Sequence, residues 1–312
     1  MDAATRRLLI AVQICFGVFP ILGKIALAGF QPRAVLVWRL AAGSVVLLAI
    51  AAARHGRAVL PSPRDLAQLL GLSLLGVILN QLLFLEGLKR STAVNAGLLM
   101  TVIPVATTAI AVLLRRELLR RRRALGMSLS VAGVATLFLH RGADVGGQGL
   151  RGDLFMTLNA ISYSFFLVLA KPVLTRVPQL VVVAWLFLFG LLFVPWFARD
   201  VAWVPDGATR AQWLALGGVL LFPTVLAYLL NTIVLARTHA STTAAYVMLQ
   251  PFISTVLGIV MLGEKPGWNV ALPAAGVLLG LWLVSTGPRR DPRAPAPAAA
   301  PGAQVATAAP GA

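Results

Sequence analysis

The sequence carries the same unit twice. Across most of its 312 residues it matches a copy of itself displaced by 147 positions without gaps, so that Lys24 returns as Lys171, Trp38 as Trp185, Gly71 as Gly218, Arg90 as Arg237, Pro104 as Pro251, Glu117 as Glu264 and Gly133 as Gly280. The matched set includes charges and prolines in apolar surroundings, which shared hydrophobic composition alone does not produce. Whatever this chain folds into must accommodate two versions of one structure.

Hydropathy identifies the solvent. With 59% apolar and 12% charged residues, and a mean hydropathy of +0.86, the chain lies outside the balance of a water-soluble domain. Apolar stretches recur near residues 8–28, 34–53, 66–88, 92–114, 124–139, 150–170, 179–198, 211–236, 242–262 and 268–286. Most reach the roughly 20 residues that a helix needs to cross about 30 Å of hydrocarbon. The stretch at 124–139 is the shortest. The runs are continuous, whereas the strands of a membrane barrel alternate apolar with polar residues.

The expected fold is therefore an all-α membrane protein of ten transmembrane helices: repeat one over 8–139, repeat two over 150–286, and a Pro- and Ala-rich tail over 287–312 expected to be disordered in the cytoplasm. Five spans per copy is an odd number, so the second copy enters the membrane from the opposite side. The direct sequence repeat thus implies an inverted structural one, with a binding site near the midplane where the halves meet. The first apolar run is too long for a signal-peptide core and carries part of a repeat, so it is expected to stay in the mature protein.

A net charge of +17 invites a nucleic-acid reading, but the basic residues sit mainly between apolar runs and follow no binding motif. Topology explains them better. With the N-terminus inside, inner segments hold seventeen Lys and Arg and outer segments eight, which places both termini in the cytoplasm. The run from Arg115 to Arg123 dominates that count and reads as a topology anchor. Cys15 is the sole cysteine, so no intrachain disulfide is possible.

Two features recur in register in each half. A basic and hydroxyl stretch, Lys89-Arg90-Ser91-Thr92-Ala93 and then Arg237-Thr238-His239-Ala240-Ser241, precedes the fourth helix. A proline in that helix, Pro104 or Pro251, is followed thirteen residues later by Glu117 or Glu264. With Lys24 and Lys171 near the ends of the first helices, this pattern resembles the EamA family of the drug/metabolite transporter superfamily, over about residues 8–286. The resemblance implies ten helices in two EamA repeats and movement of small metabolites across a bacterial-type inner membrane. Arg115-Arg116-Glu117 departs from the more usual Gly-Glu, and Arg39 has no counterpart, since Leu186 stands at its matching position.

Other spellings carry no chemistry. Gly147 to Gly152 spells G-x-G-x-x-G but follows no strand, and Gly17 to Ile25 only approximates a phosphate-binding loop, lacking its hydroxyl. No His, Cys or carboxylate cluster has metal-ligand spacing, so neither metal nor cofactor is expected. Glu86 stands three and four residues before Lys89 and Arg90, the spacing of a local helical ion pair. Lys24 and Lys171 suit snorkelling or a structural or gating contact, Glu117 and Glu264 a structural contact or latch, and Pro104 and Pro251 paired bending points. Arg39, about five residues into its expected helix, reads as structural.

Polar residues at mid-span are the candidates for the solute site, because an unpaired polar group in hydrocarbon is costly and turns toward a partner or a wet cavity. They are Gln13, Asn80, Gln81, Thr101, Asn159, Tyr163, Tyr228 and Gln250. This set contains no charge, so the expected site suits neutral or zwitterionic solutes such as amino acids. The reading is a secondary transporter working as an exporter by alternating access, with a small-molecule solute and the bilayer as partners, and a coupling ion or a second protomer as further candidates. The rival is an intramembrane enzyme on a lipid or isoprenoid, for which no acid, base or metal constellation is found.

Overall fold

The computed structural model describes residues 3–115, 121–140, 148–237, 246, 249–265 and 267–285. All regular structure among these residues is helical. The helices are α1 Ala3–Leu27, α2 Pro32–Val59, α3 Pro63–Arg90, α4 Ala93–Leu113, α5 Arg121–His140, α6 Gln148–Leu174, α7 Gln179–Leu192, α8 Arg210–Val219 continuing through Leu220–Leu226 into Ala227–Arg237, α9 Leu249–Leu262 and α10 Trp268–Ser285. Six helices, α1 to α4, α6 and α8, are long and apolar enough to cross a membrane, and shorter apolar helices occur at Ala124–Gly133, Gln179–Leu192 and Leu249–Leu262. The expected tail and Glu117 lie outside the described residues.

The surface is that of a protein solvated by lipid. Only 33% to 56% of each long span's apolar window is buried, and Val45, Leu113, Val260 and Leu272 point outward. Inside, one large core joins both copies, with Phe30, Leu36, Leu40 and Leu85 from the first meeting Val173, Leu180 and Phe187 from the second. Among apolar lipid tails such helices cohere through close packing rather than through the exclusion of water.

Prolines and π turns interrupt the long helices. α1 breaks at Val18, just before Pro20, and α4 breaks at Thr101, where Pro104 cannot supply the N–H that would bond Met100. The Thr101 hydroxyl donates to the Leu98 carbonyl at 2.6 Å, holding the bend. The segment just before Pro251 lies partly outside the described residues. In α3 and α8 the chain widens into π-helix at Leu74–Leu79 and Leu220–Leu226, nearly the same register in the two copies.

Contacts between the copies are reciprocal. Gly43 of α2 lies under Phe187 of α7, where an added Cβ would come within 2.3 Å of the ring, and Gly190 of α7 lies under Leu40 of α2, where it would come within 2.6 Å. These four residues are two matched pairs at the repeat offset. α5 and α10 likewise cross at matched residues, the Ser130 hydroxyl donating to the Val277 carbonyl at 3.3 Å. The Gly276 and Gly280 spacing therefore serves an internal contact, against Gly126, Ser130 and Gly133.

Candidate functional site

One end of the bundle is held together by polar contacts between distant segments. Gly263, at a φ of +65 that favours glycine, turns the chain after α9 so that Glu264 folds back. Its carboxylate accepts from the backbone N–H groups of Ala93 and Val94, at 2.7 and 2.9 Å, at the start of α4. An anion on a helix N-terminus meets both unsatisfied donors and the positive end of the helix dipole. Lys24 does the converse at the end of α3, its Nζ donating to the carbonyls of Leu88 (2.9 Å) and Ser91. Buried Asp153, at the start of α6, accepts from the Ser91 hydroxyl and from Asn95 Nδ2 at 3.2 Å.

The same end explains two sequence patterns. Glu86 and Arg90 form the expected local ion pair. Gly152, the last glycine of the false dinucleotide motif, presses on the α3 backbone, where a Cβ would stand 2.8 Å from the Gly87 carbonyl oxygen and the Ser91 nitrogen. Lys171, which matches Lys24 in sequence, is exposed.

Deeper in the bundle, several mid-span polar residues meet across the seam. Gln250 of copy two donates to Gln13 Oε1 of copy one at 2.7 Å, and Asn159 of copy two donates to the backbone carbonyl of Asn80 in copy one. Gln81 Oε1 and Asn159 Oδ1 are buried and have no hydrogen-bond partner among the described residues. Tyr163 stacks on Phe166, while Tyr228 packs edge-on against Phe16 and Phe187. Thr101 differs in kind, since its hydroxyl is spent on its own helix. A small cavity of about 60 Å³ lies beside these groups, lined by Phe16, Phe19, Phe84, Met100, Gln250 and Ser254.

Sequence reasoning underrated Arg39. The helix begins earlier than expected, at Pro32, so Arg39 sits about two turns in and is only 3% exposed. Its Nε donates to Thr224 in the π segment of α8 at 3.0 Å, and its guanidinium lies 4.2 Å from the centre of the Phe19 ring. A positive charge thus abuts the wall of a cavity expected to be neutral. The one signal available in the sequence was the broken match with Leu186.

Apolar helices arranged in two copies, with buried polar groups gathered where the copies meet, define a polytopic membrane protein of the transporter class. Residues 7–139 and 150–286 both match the EamA-like transporter family, and the chain belongs to it. It is 26% identical to a protein of Archaeoglobus fulgidus described as an uncharacterized transporter, over 91% of this chain and 98% of that one. It is 24% identical to the WAT1-related protein At4g30420 of Arabidopsis thaliana, over 90% and 84% of the two chains. A solved structure titled only as the crystal structure of a protein shares the fold at a TM-score of 0.61 and 20% identity, covering 91% of this chain and 98% of its own. The protein is a transporter, not the membrane-embedded enzyme weighed as its rival.

Proposed function

We propose that this protein is a ten-span secondary transporter that exports small neutral or zwitterionic metabolites, amino acids among them, by alternating access. The observation that carries the reading is the set of polar contacts across the seam, Gln13 with Gln250 and Asn80 with Asn159, beside the unpartnered oxygens of Gln81 and Asn159. Hydrogen-bonding capacity left open in a buried site suits a polar guest, and bonds that span the copies are the ones a relative movement of the halves would remake. The reciprocal packing of Gly43 and Gly190 supports an inverted, two-fold arrangement of the copies, since a two-fold contact places residue i on j and j on i. The basic residues between spans support cytoplasmic termini in a bacterial-type inner membrane.

A metabolite screen for thermal stabilisation of the purified protein tests the site, because a ligand that binds only the folded state raises its apparent stability. Substituting Asn80, Gln81, Tyr228 and Gln250 one at a time by Ala is expected to weaken the hits about tenfold or more for at least one of the four, the worth of one or two buried hydrogen bonds. Unchanged binding in all four would discard the site.

The paired prolines are the proposed bending points. The double variant Pro104→Ala/Pro251→Ala is expected to retain binding and to slow transport in proteoliposomes about tenfold, since restoring the missing donor straightens α4. Transport at the parental rate would make the α4 bend a fixed element of shape.

A further inference from the structure

We infer that Arg39 is a receptor for an anionic group of the solute, specifically a carboxylate carried on an apolar body. The inference rests on the transport reading above and revises its substrate class, from neutral or zwitterionic solutes toward solutes that carry a carboxylate.

Arg39 Nη1 is buried and has no hydrogen-bond partner among the described residues. The described ion pairs do not include it. Its contacts among the described residues are with neutral groups, the Thr224 hydroxyl through Nε, the face of Phe19 through the guanidinium plane, and the phenol of Tyr228, which is near enough to feel its charge. Holding a cation in a buried site on such contacts is costly, so its retention calls for a reason.

The repeat shows that the architecture does not require it. At the matching positions of the other half stand Leu186 in place of Arg39 and Val77 in place of Thr224. Both are buried, at 2% and 3% exposure, in the same core. One position is thus filled by an apolar pair in one copy and by a guanidinium and a hydroxyl in the other. What the two copies do not share is the charge.

Its surroundings say what it would take. Phe19, against which the guanidinium lies, also lines the cavity, together with Phe16, Phe84 and Met100, and packs at a tilt against Phe84 at 4.6 Å between ring centres. A displacement of the Phe19 ring would open Arg39 to that space. The guanidinium fork suits a planar carboxylate, and the aromatic lining suits an apolar remainder. Gln81, whose Oε1 is also unpartnered, lies one turn before Phe84 on the same face of α3.

The test uses the full chain, purified, with matched acids and primary amides as probes: phenylacetate and phenylacetamide, 4-methylpentanoate and 4-methylpentanamide, leucine and leucinamide. At least one acid is expected to raise the melting temperature while its amide does not. In Arg39→Leu, which writes the Leu186 solution into the first copy, the melting temperature without probe should equal or exceed that of the parent, and the acid should bind at least about tenfold more weakly. Arg39→Lys keeps the charge but not the fork and should lie between. Should Arg39→Leu not fold, Arg39→Leu/Thr224→Val reproduces the other half's pair in full and is read in its place.

The inference is overturned if no acid stabilises the parent, if acid and amide act alike, if the Leu variants keep the preference, or if both fail to fold. Counterflow in proteoliposomes separates it from the transport reading. An acid bound through Arg39 but never moved would count against the proposed transport of such solutes and leave the receptor standing, whereas an acid moved equally well by Arg39→Leu would refute the receptor and leave transport standing.

Discussion

Replacing Gly280 by valine is expected to abolish the folded protein. At that position even a Cβ would stand 2.4 Å from the Gly126 carbonyl oxygen and 2.6 Å from the Ser130 nitrogen, and both are backbone atoms. No side-chain rotation relieves such a clash, so the whole α5–α10 crossing would have to part. With the α3–α6 crossing, it is one of the two most extensive between helices described. Alanine is expected to cost about 1–3 kcal/mol, as overpacking in a rigid contact does, and valine more. Gly71 and Gly217, each in a helix with nothing within 4 Å of an added Cβ, are the internal controls. There alanine should be neutral or stabilising by about 1 kcal/mol, from the lower intrinsic cost of ordering it in a helix. The measurement is the yield of monodisperse protein in size-exclusion chromatography and its melting temperature. A monodisperse Gly280→Val protein with parental stability would show that α5 and α10 do not pack as described.

The second large effect is expected at Glu264, and it concerns the tied end rather than the whole fold. Its carboxylate holds two N–H groups at the start of α4, more than 160 residues away in the chain. Hydrogen bonds to an ionised group contribute about 1.5–3 kcal/mol each when partly buried, so Glu264→Ala removes a clamp worth roughly 3 kcal/mol or more. Val94, one of the two donors, is 5% exposed and reports on opening. With Cys15 replaced by alanine, a cysteine introduced as Val94→Cys is expected to react slowly with a membrane-impermeant maleimide. Adding Glu264→Ala should speed that reaction about a hundredfold, the rise in open population that a loss of this size implies. Glu264→Gln, which can still accept from α4 without charge, should give an intermediate rate. Equal reactivity in all three would mean that Glu264 does not hold this end closed.

Several parts of this structure were legible from short range alone. Apolar runs of sufficient length gave the positions of the helices, including the short fifth stretch, which proves to be the core of Arg121–His140. The spacing of Glu86 and Arg90 gave their ion pair, because residues four apart on a helix are neighbours whatever surrounds them. Pro104 gave the bend at Thr101 because it removes a donor within its own helix. The π segments in α3 and α8 were not legible. Their sequences are ordinary apolar runs, and nothing local marks where an extra residue per turn is accommodated.

The polar residues divide along the same line. Depth in a span singled out Gln13, Gln250, Asn80 and Asn159, yet it could not say that they meet in those pairs. Asp153 carries no signal of its role in the sequence, yet it is buried and bonded to Ser91 and Asn95, because the α6 helix starts before it and tucks its first turn under α3.

By itself the sequence determined that there are two copies of one apolar helical unit, where along the chain its apolar helices fall, and where positive charge gathers between them. These follow from hydropathy, spacing and count, quantities that each stretch of chain carries with it. Only the tertiary structure decided which polar groups face one another. Glu264 reaches the start of α4, Lys24 the end of α3, and Arg39 the π segment of α8 while Leu186 rests in the core of the matching half. Such pairings join residues 64 to 185 positions apart, and they exist because helices crossing through small residues bring particular faces together. A helix records in its sequence which of its faces is polar, but the partner of that face is set by how the helices pack.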